Sequence, residues 1–251
     1  MPRRSRSRHW WRASVSKNGL QVLQRALGLS ESDQPPPIIV AIDFEMTNNL
    51  KNGFLNSQDS QLGIATLDMK SFPQHVEDKE DLVTTENYIT GSKSYIEKAS
   101  KRFAFGESTT IQPLKAELVH RIDTALPNDR PIVLVGHAVT NELDVFHALG
   151  YTLPNSNVEI LDTTKLANEV FEPWSCSLGA LLRRLRCPHA RLHSAGNDAN
   201  FTLKAALLLA VYRYADQDHA VVDMFWSLEK QNKIRERRAA WKIEVEKLRL
   251  Y

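Results

Sequence analysis

Ile38-Ile39-Val40-Ala41-Ile42-Asp43-Phe44-Glu45 is a β-branched, apolar run that ends in two carboxylates. Pro35, Pro36 and Pro37 precede it, and a segment rich in Asn, Ser and Gly (48–60) follows. A short apolar run between breakers reads as a strand buried on both faces. Side chains two apart on a strand share a face, so Asp43 and Glu45 project together and Phe44 opposes them. Two like charges at the end of a buried strand are costly unless a cation or ligand compensates them.

Outward from this strand the pattern alternates between strands and helices. Upstream, Leu20, Leu23 and Leu27 recur at helical spacing and Gly28 marks a stop. Downstream, 48–60 reads as a loop, and Leu62-Gly63-Ile64-Ala65-Thr66-Leu67 as a second strand antiparallel to the first. Residues 72–100 are polar and aperiodic, so they are expected to be irregular, with a short strand at Tyr88-Ile89. The alternation in Arg102-Phe103-Ala104-Phe105-Gly106 predicts a third strand. Leu114, Leu118, Ile122 and Leu126 predict a helix over 111–126, closed by Pro127. Residues 131–137 form a second buried strand ending in Gly136-His137. A helix capped by Asn141 then runs through Leu143, Phe146 and Leu149 to Gly150. Further on come a strand at 158–162, a short helix from Thr163, a helix over 177–186, and a helix over 198–214 opened by Asp198. This order predicts an α/β fold of three layers, a mixed central sheet flanked by helices.

The chain has 251 residues, 42% hydrophobic and 25% charged, enough for one large α/β domain with tails. The expected division is a disordered basic arm (1–17), a helix and linker (18–34), the domain (35–216) and a charged helical tail (217–251). Arg3, Arg4, Arg6, Arg8 and Arg12 crowd the first twelve residues, and eight Lys or Arg against four Glu occupy 226–251. Basic ends around an acidic middle suit a nucleic-acid partner and a metal site, although a charge run is by default a solvated face. No run is long and apolar enough to span a bilayer, so no membrane partner is expected. Two cysteines without a C-x-x-C argue against zinc and disulfides and for a reducing, intracellular compartment, cytoplasmic or nuclear. The Arg- and Ser-rich start leaves a mitochondrial presequence as the third reading of the arm.

The carboxylate strand gains weight from His193-Ser194-Ala195-Gly196-Asn197-Asp198-Ala199. A His on a loop precedes by five residues an Asp that opens an amphipathic helix. The helix N-terminus favours an anion and should keep Asp198 ionised and fit for a metal. The set Asp43-Phe44-Glu45, then Gly136-His137, then this His-x-Ala-x-x-Asp-Ala segment resembles the DEDD exonuclease superfamily, and within it the DEDDh branch. The likeness covers roughly Leu20 to Tyr214 and is strongest to the fungal QIP-like group of Argonaute-interacting exonucleases.

The resemblance implies an RNase H-like fold and two-metal hydrolysis of phosphodiesters, removing nucleotides in the 3′→5′ direction. Asp43, Glu45, Glu142 and Asp198 would hold two ions, Mg²⁺ or Mn²⁺, on oxygen ligands. His193 would be the general base. The expected partners are a nucleic acid, best as a single-stranded 3′ end with RNA slightly ahead of DNA, and an Argonaute-like protein. The family's second motif departs here: its Asp falls at position 142, which is Glu142, and Asp144 lies two residues on. Two residues apart on a helix means nearly opposite faces. Glu142 shares a face with Phe146 and Leu149 and is the expected inward carboxylate, with Asp144 as the alternative. His137 is expected to bond backbone at its strand end. The longer arm of Glu142 also supports a second reading, a weak or inactive member that acts as a nucleic-acid- or Argonaute-binding adaptor.

Overall fold

The computed structural model describes residues 15–72, 83–153, 158–171 and 175–212. Most of the basic arm and the whole charged tail lie outside these residues. Six strands form one sheet in the order β4-β3-β2-β1-β5-β6. They are β1 (Ile38–Glu45), β2 (Ser60–Asp68), β3 (Thr84–Thr90), β4 (Thr109–Thr110), β5 (Ile132–Gly136) and β6 (Val158–Asp162). β1 runs antiparallel to β2 and parallel to β5, which is parallel to β6. β3 is antiparallel to β2, so the sheet is mixed.

Alternation along β1 divides the interior into two cores. Ile39 and Ala41 face one side with Ala65, Leu67, Val133 and Val135. That side is covered by α1 (Gly19–Ala26), α6 (Thr163–Val170), α7 (Leu178–Arg184) and α8 (Ala195–Val211). Val40, Ile42 and Phe44 face the other side with Leu62, Ile64 and Leu134. There α2 (Thr47–Lys51), α4 (Lys115–Ala125) and α5 (Thr140–Leu149) pack on them. The result is the expected three-layer α/β architecture. Every residue of α8 is buried, because the helix lies between the sheet and the outer helices α1, α6 and α7. Val15, at the edge of the expected arm, bridges to Ile160 beside β6.

Several local expectations change. The 48–60 loop contains α2, entered through Met46 in a left-handed conformation. The segment read as irregular holds β3, which extends the short strand expected at Tyr88-Ile89, and an unexpected helix, α3 (Lys93–Arg102), capped by the Ser92 hydroxyl on the Tyr95 amide. Ala99 is its one buried residue, so α3 carries no apolar stripe for periodicity to report. Residues 102–106 are not a strand. Phe103 and Phe105 alternate because the chain crosses the start of α8 in extended form, and the Asn197 side chain takes the place of a strand partner. Asn197 Oδ1 accepts from Ala104 N at 2.9 Å, and its Nδ2 donates to Arg102 O at 2.9 Å. α4 begins at Lys115, leaving Leu114 exposed. Asn141 is not the cap of α5; the helix starts at Thr140 and Asp162 takes up the amides at its entry. α8 starts at Ala195, three residues before Asp198, which lies in its first turn.

Candidate metal centre

The carboxyl ends of β1, β5 and β6 lie on one rim of the sheet, as ligand-binding rims of open α/β sheets do. Asp43 and Glu45 point from β1 toward α8, on the face of Ile39 and Ala41. Asp43 pairs across the sheet with Gly63, and Gly63 with Asn87, so one row crosses three strands. The middle of that row is a glycine because α8 comes too close for a side chain. A Cβ on Gly63 would fall 2.0 Å from the Ala195 backbone.

The first amides of α8 have no partner within the helix. Gln61 Oε1 accepts Ala195 N at 3.3 Å and Asn87 Oδ1 accepts Gly196 N at 3.0 Å. Two strand side chains thereby seat the helix start on the sheet. From that start Asp198 reaches Glu45 and His193: one ligand atom from each of Glu45, His193 and Asp198 lies within 4.8 Å of the others. His193 is exposed at the rim, while Asp198 is buried.

Asp43 and Glu142 stand outside that tight group but share its field. The charges of Asp198, Glu142 and Glu45 all act on Asp43, whose carboxyl is held well above its ordinary range, chiefly by burial. Burial also pushes Glu142 up to about 8. Asp198 rises to about 6, because burial outweighs the hydrogen bond it accepts from His193 N. Without a cation the helix N-terminus therefore does not hold Asp198 in its usual range, contrary to the expectation. Glu45 is raised by burial, against the opposing charges of His193 and Arg102.

Of the two carboxylates on α5, Glu142 is 6% exposed, whereas the side chain of Asp144 is 45% exposed and faces Lys51 at 3.7 Å. Buried oxygens of Asp43 (Oδ2), Glu142 (Oε2) and Asp198 (Oδ1) accept no hydrogen bond. Three such atoms converging on one rim are costly in an apolar setting, and divalent cations with a preference for oxygen ligands compensate them. The donor set fits the metal that the sequence implies: carboxylates from β1, α5 and α8, with an imidazole at the edge.

His137 lies behind the site. Its Nδ1 meets Thr163 Oγ1 at 2.8 Å and its Nε2 meets Cys176 O at 3.1 Å, a structural role toward backbone as expected. Burial lowers its pKa, which suits a neutral ring. Arg102, Asn197, Gln61, Asn87 and Asp162 were not singled out from the sequence. Asn197 stood inside the His193 to Ala199 segment without a role. Asp162, an Asp directly before a helix, offered a local capping signal through Thr164; Arg102, Gln61 and Asn87 had none, since their partners are distant in the chain.

Comparison with known proteins places the chain in a family. Residues 38–209 match the DEDDh_C family model, described as DNA polymerase III subunit epsilon-like, C-terminal domain. The uncharacterized protein YDR514C of Saccharomyces cerevisiae is 33% identical over 101 residues, covering 33% of this chain and 21% of that protein. The uncharacterized nucleolar protein C2C4.08 of Schizosaccharomyces pombe is 29% identical over 119 residues, 44% of this chain and 47% of that one. Good for full DBP5 activity protein 2 of Saccharomyces cerevisiae is 33% identical over 88 residues, 28% and 16% respectively. The match spans less than half the length of each of these relatives. Among solved structures, Exonuclease X in complex with 5′ overhanging duplex DNA is 17% identical, with a TM-score of 0.38 over 74% of this chain and 99% of that one. The family match takes in the sheet from β1 onward, the four carboxylates and His193, and the chain belongs to the DEDDh_C family of the DEDDh exonuclease superfamily.

Proposed function

We propose that this chain is a divalent-metal-dependent exonuclease that removes nucleotides from the 3′ end of a single strand and releases 5′-monophosphates. The observation that carries the reading is the convergence of three buried, unpartnered carboxylate oxygens, on Asp43, Glu142 and Asp198, beside Glu45 and the exposed His193. Asp43, Glu45, Glu142 and Asp198 would hold the ions, Mg²⁺ or Mn²⁺, since both prefer oxygen ligands. Bound there, the ions supply positive charge against the scissile phosphate and its leaving oxygen. His193 takes the proton of the attacking water; its place at the exposed rim lets it meet solvent and pass the proton on.

RNA is the preferred substrate by the resemblance to Argonaute-interacting exonucleases, and an Argonaute-like partner belongs to the same reading. Glu142, where the family pattern has Asp, favours the second reading of a weak or inactive adaptor, because a longer arm shifts the ion it holds. The test is turnover of matched, labelled RNA and DNA strands with Mg²⁺ or Mn²⁺, beside Asp43→Ala. Metal-dependent 5′-monophosphate release lost in Asp43→Ala supports the enzyme. Identical behaviour of the two proteins, with strand binding retained, favours the adaptor.

A further inference from the structure

His193 occupies a backbone conformation that its side chain disfavours. Its φ is +64°, and Arg191, two residues before, has φ +56°. Non-glycine residues persist in this region only where their surroundings over-determine them. Here three consecutive residues are each held by a side chain from elsewhere. Asn197 Nδ2 donates to Arg191 O at 2.9 Å, the Arg102 guanidinium donates to Leu192 O, and His193 N donates to Asp198 Oδ2 at 2.9 Å.

The three supports are themselves tied together. Asn197 is fully buried, and its amide joins Arg191 O, Arg102 O and Ala104 N, linking the end of α3 to the His193 loop. The Arg191 guanidinium returns the contact to Lys101 O at 3.3 Å. Arg102 also lies close enough for its charge to act on Glu45 and Asp198. What they fix is the path of residues 191–193, and therefore where the imidazole sits over the carboxylates.

We propose that Arg102 and Asn197 are positioning residues that clamp His193 in its left-handed conformation beside Glu45 and Asp198, and so set the rate of its proton transfer. This inference rests on the exonuclease reading, in which His193 is the general base. A displacement of about 1 Å in such a group costs on the order of 100-fold in rate, so loss of the clamp is read in turnover.

The test uses the full chain with Arg102→Ala and Arg102→Lys, because Arg102 is exposed and its loss leaves the core intact. Amide exchange over 191–193 is expected to quicken at least tenfold in Arg102→Ala. Mn²⁺ affinity and KM for a labelled single strand should stay within twofold, with kcat falling at least tenfold. Arg102→Lys should recover part of kcat, since an ammonium still reaches a carbonyl. In a His193→Ala background, Arg102→Ala should change the residual kcat less than twofold. Unchanged exchange over 191–193 overturns the clamp. A rise in KM alone, or an equal kcat loss in both backgrounds, overturns it too, by assigning Arg102 directly to the substrate. A chain without metal-dependent turnover overturns the exonuclease reading, whereas an active chain with unchanged exchange overturns the clamp alone.

Discussion

Asp43 and Gly63 are cross-strand partners, and the missing side chain of Gly63 is what lets α8 bring Asp198 to the strand that carries Asp43. A methyl group at position 63 would meet the backbone carbon and oxygen of Ala195 at 2.0 Å. Backbone cannot rotate away as a side-chain tip can, so α8 must lift from the sheet. Gly63→Ala is expected to cost about 3 kcal/mol in chemical denaturation. It should also weaken Mn²⁺ binding, because the displaced helix carries Asp198. Gly28→Ala, at a site with open space but φ +70°, should cost about 1 kcal/mol and leave Mn²⁺ binding unchanged.

The metal-free protein should lose stability as pH rises. Burial raises Asp43, Glu142 (to about 8) and Asp198 (to about 6) above ordinary carboxylate values. Between about pH 4 and 8 the folded chain thus retains protons that the unfolded chain has released, and the slope of stability with pH is negative. The melting temperature without divalent ions should fall by roughly 5 °C or more from pH 5 to pH 8. Mn²⁺ added at pH 8 should restore it, by binding the folded state alone. A melting temperature that climbs across this window in chelator would contradict the buried-carboxylate account.

Position 142 should matter to metal binding and position 144 should not. Glu142 is buried with Oε2 unpartnered, whereas Asp144 is exposed and paired only with Lys51. Glu142→Gln is expected to lower Mn²⁺ affinity at least about tenfold. The same change should raise metal-free stability at pH 8, since a buried amide is neutral, whereas the carboxyl must hold a proton that the unfolded chain releases or be buried charged. Asp144→Asn should alter neither by more than about 0.5 kcal/mol, as befits a surface ion pair. Calorimetric titration of both variants checks the orientation of α5.

Asp162 should stabilise two helices at once. Its carboxylate accepts Ala138 N at 3.1 Å, Val139 N at 3.2 Å, Thr164 N at 2.9 Å and Thr164 Oγ1 at 2.7 Å. The first two lie at the entry of α5 and the last two at the start of α6. Asp162→Ala leaves the buried Val139 amide and two partly buried helix-entry amides unpartnered and is expected to cost about 3 kcal/mol. Mn²⁺ affinity should fall as well, because the α5 entry sets where Glu142 reaches. Asp162→Asn, which keeps one acceptor oxygen, should lose roughly half as much stability.

Arg130 ties the far end of β2 to the proline entry of β1. Its guanidinium bonds both oxygens of Asp68, at 2.8 and 2.6 Å, and the carbonyl of Pro36 at 3.0 Å. The hydrogen bond from Arg130 holds Asp68 down to about 2. The stabilisation is complete above the ordinary carboxylate range and is lost as pH falls through about 2. Both groups are partly solvated, so Arg130→Ala should cost only about 1 kcal/mol at neutral pH, and less in high salt.

The strands and helices that bury apolar side chains were legible in the residues alone. β1 was legible to the residue, since an apolar run between three prolines and a polar segment has few other readings. β2, β5, β6, α5 and α6 followed from the same patterns, and Asp43, Glu45, His193 and Asp198 from their motifs. Periodicity reports burial along one element, and it is silent where an element is stabilised by polar contacts. α3 escaped because its one buried residue is Ala99, although Ser92 offered a cap and Lys101 and Arg102 a basic end. Residues 102–106 imitated a strand because Asn197, 93 residues beyond Ala104, supplies the backbone partner that a strand would have. Helical spacing already favoured Glu142 as the inward carboxylate of α5; the packed fold chose it over Asp144, which faces Lys51, and it brought Arg102 to the loop of His193. Local sequence decides which side chains want burial; the partners of polar groups and charges come from distant residues, and the packed fold alone selects them.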